Sequence, residues 1–355
     1  MTYNSADVRI HGEVTMINFK SASTSLLTIM LLGSCATQTF AADTGEGPKP
    51  DAAVTAGNKK AYEANEAAVQ MILNGQFKEA IAKLDEAISL VPKYGRAYNN
   101  RAAAYCSMGD FKAGLKDANE AVKLRPKMGH AYLNRSWAEN KLGEFSKGLA
   151  DANQSIKLDP DDAMGYVNKS HALNMLGKHK EAIEASSKAL ELKPGLPTAY
   201  VNRTHAYLQA GEYDKAMDDA NKAVELAPKH GIVFSNRARV KLAKKDWQGA
   251  VDDATKAIEV NPNLGIAYYN RSVARNELKQ KDQGIEDLKK AKELGVDNAD
   301  TKAIQKIDRS QVIGTAKQLS QSNGEYFNVN FVYQKSAGIK RDGISFCIAS
   351  IVCRI

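Results

Sequence analysis

Six asparagines recur at intervals of 34 residues: Asn100, Asn134, Asn168, Asn202, Asn236 and Asn270. A side-chain amide offers one acceptor and two donors, so it can pair with both the C=O and the N–H of a peptide backbone, whatever side chains that backbone carries. Three residues beyond four of them stand Trp137, His171, His205 and Arg239. Tryptophan and arginine are side chains that often carry the energy of an interface. Two histidines in phase suggest a metal, but no third ligand of suitable type falls in the same pattern, so neither metal nor cofactor is expected. Nothing matches H-E-x-x-H, G-x-S-x-G or a phosphate-cradling glycine loop. The last 35 residues, 321–355, hold no histidine that could support catalysis. The chemistry on offer is recognition rather than turnover, and no enzyme is expected.

A second ladder has its partners written beside it. Arg101, Arg135, Arg203, Arg237 and Arg271 each stand 16 residues before an aspartate: Asp117, Asp151, Asp219, Asp253 and Asp287. At Lys169 the arginine is missing, and Ala185 replaces its aspartate. Arginine and aspartate appear and vanish together, which predicts ion pairs between two helices rather than a basic stripe.

The elements that position these side chains follow from six prolines with the same spacing: Pro92, Pro126, Pro160, Pro194, Pro228 and Pro262. Setting each proline at place 32 of a 34-residue repeat starts the repeats at Ala61, Gly95, Gly129, Ala163, Pro197, Gly231 and Gly265. Place 4 is aromatic in six of them, from Tyr98 to Tyr268, and places 8, 20 and 27 are small throughout. Near place 15 stand Gly75, Gly109, Gly143, Gly177 and Gly211. Such glycines relieve the left-handed residue that ends a helix. Each repeat therefore reads as two helices split by a turn, with small residues at their closest approach and a proline stopping the second. Large apolar residues such as Leu90, Leu124, Leu158, Leu192 and Leu226 are expected to fill the seam. A helix pair cannot bury its apolar face alone, and stacked neighbours do so for each other.

These residues at these offsets resemble the tetratricopeptide repeat family over residues 61–298. The resemblance implies an all-α, right-handed superhelical solenoid of about seven repeats. The sixth and seventh depart, with Lys245 and Lys279 at the turn, and the seventh has Val296 at the proline place. In that family the first helix of each repeat lines the concave face through places 2, 5, 6, 9, 12 and 13. The asparagines are place 6 and the Trp137–Arg239 series is place 9, so both are expected to face a groove and meet a peptide there. Packed helices lie about 8–10 Å apart, and an extended chain advances about 3.1–3.3 Å per residue. Each repeat would then meet the ligand at about every third residue. Asparagine ladders of this kind resemble those of O-linked N-acetylglucosamine transferase arrays. The chaperone-binding carboxylate clamp fits poorly, because place 5 has no lysine, place 9 no asparagine and place 6 no arginine.

The ends differ from the array. Residues 1–42 read as a leader: Lys20, then the apolar run from Leu26 to Leu32, then small residues through Ala42. That is the composition of a signal peptide, with Met16 a better start than Met1. A rival cleavage would leave an acylated Cys35 and a membrane-anchored lipoprotein. Residues 43–60 read as a linker, 299–320 as a capping helix, and 321–355 as an unassigned tail. The net charge of +8 favours acidic protein segments, acidic polymers or membrane surfaces. Nucleic acid is not expected, because the arginines already have aspartate partners. The sequence leads to an exported scaffold that binds extended protein segments. An envelope adaptor for an acidic polymer or membrane surface is the second reading. Steep loss of binding with salt would favour that second reading.

Overall fold

The computed structural model describes residues 56–296. The expected leader, capping helix and tail lie outside the described residues. Fourteen helices follow in pairs. They are α1 (Ala56–Leu73) and α2 (Phe77–Leu90), α3 (Gly95–Ser107) and α4 (Phe111–Leu124), and α5 (Gly129–Lys141) and α6 (Phe145–Leu158). Then come α7 (Ala163–Met175) and α8 (His179–Leu192), and α9 (Pro197–Ala210) and α10 (Tyr213–Leu226). The last are α11 (Gly231–Ala243) and α12 (Trp247–Val260), and α13 (Gly265–Glu277) and α14 (Lys281–Glu293). This is the expected all-α repeat solenoid.

Both punctuation marks work as the sequence implies. The turn glycines take φ between 74° and 85°. Lys245 and Lys279 are forced to φ 62° at the same place, where a Cβ is penalised. Lys245→Gly and Lys279→Gly should therefore each gain about 1 kcal/mol in urea unfolding. At the other junction, the residue before each proline is driven out of helical geometry. Val91, Arg125, Asp159, Lys193, Ala227 and Asn261 have φ between −133° and −143°. The seventh repeat lacks the proline and stops differently. Gly295 takes φ 82°, and the Val296 N–H reaches back to the Ala291 carbonyl at 3.0 Å. Two place-4 tyrosines fasten the proline turn, with the Tyr98 and Tyr132 hydroxyls donating to the Pro92 and Pro126 carbonyls at 3.4 and 3.2 Å.

The packing gives the array its layers. Every helix packs on the next, and each odd-numbered helix also packs on the following odd one. The even-numbered helices make no comparable contact with each other. The odd helices therefore form the inner, tighter layer and the even ones the outer. Alanines make the close approach possible: Ala68, Ala80, Ala87, Ala102 and Ala121 are all fully buried. In the third repeat even a methyl is excluded, since a Cβ on Gly148 would lie 2.2 Å from Asn140 Oδ1. One expectation is corrected. Leu90 and Leu226 are 40% and 36% exposed, and Leu124, Leu158 and Leu192 are half-buried. The seam is so narrow that alanines fill most of it, with Leu84, Leu133, Leu173, Val233 and Ile266 in the wider places.

The arginine ladder forms the expected ion pairs and also ties repeats together. Arg203 Nε and Nη2 donate to Asp219 at 2.7 and 2.8 Å, and Arg237 holds Asp253 with two bonds of 2.8 Å. The third nitrogen crosses to place 25 of the preceding repeat, as from Arg203 to Ser187 at 3.0 Å and from Arg237 to Asn221 at 3.1 Å. In the fourth repeat, where the pair is absent, the hydroxyls of Ser170 and Ser186 bond to each other instead.

Candidate functional site

The inner face is built from the same places of successive odd helices, so any side chain on it recurs once per repeat. The six asparagines lie there, but the expectation that they stand open is corrected: they are only 0–8% exposed. Their amide nitrogens are spent inside the array. Asn168 Nδ2 donates to the Leu133 carbonyl at 3.1 Å, Asn202 Nδ2 to Val167 at 3.2 Å and Asn270 Nδ2 to Ser235 at 2.9 Å. Asn134 donates to Asn99 Oδ1 at 2.9 Å, and Asn100 to Asn65 Oδ1 at 3.0 Å. Each bond runs to place 5 of the repeat before, so the ladder staples one odd helix to the last. Asn236 is the exception among the described residues, its Nδ2 buried with no partner. The staple is doubled where place 12 is also asparagine. Asn140 Nδ2 donates to the Asn168 carbonyl at 3.1 Å, and Asn174 Nδ2 to Asn202 at 2.9 Å. Sequence reasoning missed this second amide because asparagine occupies place 12 in only three repeats, the third being Asn276.

Place 9 is where the repeats differ from one another. Trp137, His171, His205 and Arg239 are 7–9% exposed. Three of them meet place 17 of the preceding repeat edge-on. Ring centroids are 5.5 Å apart for Phe111–Trp137, 6.1 Å for Phe145–His171 and 5.9 Å for His179–His205. The signal was legible but unread, since place 17 is aromatic or histidine in six repeats, from Phe77 to Trp247. His205 does not meet His171 ring to ring as the spacing allowed. Its Nδ1 instead takes a bond from Arg239 Nη2 at 2.6 Å. No group of three histidine, cysteine or acidic side chains fit to hold a metal occurs among the described residues.

The electrostatics of this stretch are one-sided. Burial, with Lys141 beside it, pushes His171 down to about 3. Burial and then the Arg239 charge hold His205 well below its ordinary value. Burial lowers Arg239 itself to about 10. Both imidazoles are thus neutral at physiological pH.

One carboxyl stands apart at place 11 of the third repeat. In the last two repeats that place carries a cation on the ladder aspartate: Lys241 lies 2.8 Å from Asp253 and Arg275 2.7 Å from Asp287. Glu139 sits there instead, 6% exposed, against Asp151. Burial, and then the Asp151 charge, push its carboxyl up to about 7. A raised acid pKa means that stability falls as pH rises from about 4.5 to 7. Glu139→Lys should remove that loss and supply the missing cation. At pH 8 it is expected to gain about 1–2 kcal/mol in urea unfolding, allowing for partial solvent screening.

Models of tetratricopeptide repeats match residues 72–109, residues 104–163 and 133–197, and residues 197–230. A search of curated proteins gives no match. A solved tetratricopeptide repeat protein from Parabacteroides merdae is 19% identical, with a TM-score of 0.54 over 70% of this chain and 97% of its own. The APC/C hetero-tetramer Cut9–Hcn1 contains a chain 18% identical, with a TM-score of 0.59, of which 49% is matched by 69% of this one. At such identities the likeness is one of fold. The repeat register, the paired helices and these matches agree, and the chain is a tetratricopeptide repeat protein.

Proposed function

We propose that this protein is a non-catalytic scaffold that binds extended protein segments along the inner face of its odd helices. The observation that carries the reading is the contrast between places. Places that build the array keep one kind of residue from repeat to repeat, as places 8, 20 and 27 keep small ones. Place 9 instead runs Trp137, His171, His205, Arg239 through four successive repeats at equivalent positions. A row with only a structural task has no need of three chemistries at equivalent positions. The asparagines act at one remove, fixing each odd helix against the last and so setting the interval at which place 9 is presented. The leader-like residues 1–42 favour action outside the cytoplasm, with a mature N-terminus at Ala42 or Asp43, or a lipid on Cys35.

The test is capture by the full-length protein and by two variants. Trp137→Ala with Arg239→Ala alters the inner face, whereas Glu191→Ala lies on the outer layer and leaves it untouched. Partners lost from the first variant and kept by the second support the reading. A set of partners unchanged by the first, folded as shown by circular dichroism, contradicts it. The acidic-polymer reading draws on the net charge of +8, and it requires capture to collapse between about 50 and 200 mM salt.

A further inference from the structure

We infer that the array bends at one junction, between the third and fourth repeats, as two tied blocks joined along the inner face. At the other five junctions the place-7 arginine reaches across to place 25 of the repeat before. Arg101 bonds to Asp85, Arg135 to Asn119 at 3.2 Å, Arg203 to Ser187 at 3.0 Å, Arg237 to Asn221 at 3.1 Å and Arg271 to Thr255 at 3.2 Å. Each of these arginines is also held by an aspartate of its own repeat. A planar guanidinium gripped on two sides is a fixed bracket. It joins three helices: the odd helix it stands on, the even helix of its own repeat and the even helix of the repeat before.

The junction between the third and fourth repeats has no such bracket. Lys169 stands at place 7, with Ala185 where its aspartate would be. Among the described residues no bond joins Lys169 to Asn153, the place-25 residue across the junction. An ammonium on a flexible stem does not replace a fork that bonds on two sides. Asn153 is a ready acceptor, since Asn119 and Asn221 take the arginine bond at the same place. Only the arginine and its aspartate are missing. The inner side, by contrast, is closed. Asn168 Nδ2 donates to the Leu133 carbonyl and Asn140 Nδ2 to the Asn168 carbonyl, both at 3.1 Å, so two amides span the junction in opposite directions. His171 also meets Phe145 edge-on across it. A joint held at one edge and untied at the other opens at the untied edge. The next junction supplies the contrast: Asn202 and Asn174 give it the same two staples, and Arg203 adds the outer bracket. The blocks are therefore the first three repeats and the last four. The joint divides the place-9 row, with Trp137 on one block and His171, His205 and Arg239 on the other. Bending here changes the angle at which the two parts of that row are presented.

Pairs of nitroxide labels on the outer layer measure the joint. Ala150, Glu184 and Asp218 occupy place 22 of the third, fourth and fifth repeats, and all three are exposed. Ala150→Cys with Glu184→Cys spans the untied junction, and Glu184→Cys with Asp218→Cys spans the tied one. In the full-length protein Cys35, Cys347 and Cys353 are changed to serine, while Cys106, only 1% exposed, stays and escapes labelling. Pulsed electron resonance should give a distance distribution at least about twice as wide across the untied junction as across the tied one. Lys169→Arg with Ala185→Asp supplies the missing bracket and should narrow the first distribution to the width of the second. Equal widths before that change overturn the joint, and so does a width that the added pair leaves as it was. Should the variant fail to fold, as read by circular dichroism, Arg203→Lys with Asp219→Ala gives the tied junction the residues of the untied one. Widening of the 184–218 distribution then supports the joint, and an unchanged width refutes it.

Discussion

Asp219→Ala is expected to cost about 3 kcal/mol in urea unfolding. Among the described residues the aspartate is the only acid that Arg203 holds, through two bonds of 2.7 and 2.8 Å. Both side chains are mostly out of water, at 19% exposure for Arg203 and 8% for Asp219. Their hydrogen bond is the largest cause of the raised Arg203 pKa, so the ion pair stabilises the charged guanidinium. Removing the acid leaves that charge with the Ser187 hydroxyl at 3.0 Å and the faces of Tyr200 and Tyr207. Neither replaces a carboxylate. Changing Arg203 to Met as well should recover most of the loss, because the buried charge goes with it. A cost below about 1 kcal/mol for Asp219→Ala would mean the pair behaves as an exposed one, and the ladder would lose its structural role.

Acid should weaken the array through its buried histidines. An unfolded histidine takes up a proton below about pH 6.5, whereas folded His171 does so only near 3. The folded state therefore binds fewer protons between those values. Stability is fully present above pH 6.5 and is lost as pH falls, by about 1.4 kcal/mol per unit for His171. At pH 5 the loss is about 2 kcal/mol, and His205 adds to it in the same direction. His171→Phe removes one such group, and its ring should fit against Phe145 edge-on as the imidazole does. The stability difference between this variant and the unaltered protein should grow by about 2 kcal/mol from pH 7 to pH 5. Glu139 works in the opposite direction but is present in both proteins and cancels. A difference that stays flat over this range would show that His171 takes up its proton in the folded state.

The framework was legible because backbone geometry dictated it. Proline forces the residue before it out of the helix, and glycine accepts a positive φ, so a period of 34 residues carries the array. The Arg203–Asp219 pair was legible too, because the fourth repeat lost both partners at once. The inner face was harder to read. An amide such as Asn168 offers the same donors to a ligand or to the Leu133 carbonyl, and a one-letter pattern cannot tell which receives them. What decided it was the close approach of the odd helices, which alanines permit and which brings place 6 within reach of the preceding backbone. The pairing of His205 with Arg239 was likewise unread. Spacing put His171 and His205 in one row but did not show which neighbour each ring would meet.

The most direct measurement of segment binding is hydrogen exchange on the full-length protein, alone and with a partner it captures. The account predicts added protection along the odd helices α5, α7, α9 and α11, at the backbone around Trp137, His171, His205 and Arg239. It predicts no change along the outer helices α6, α8, α10 and α12. Protection confined to those outer helices, with the odd ones exchanging as before, would contradict the inner face as the binding surface.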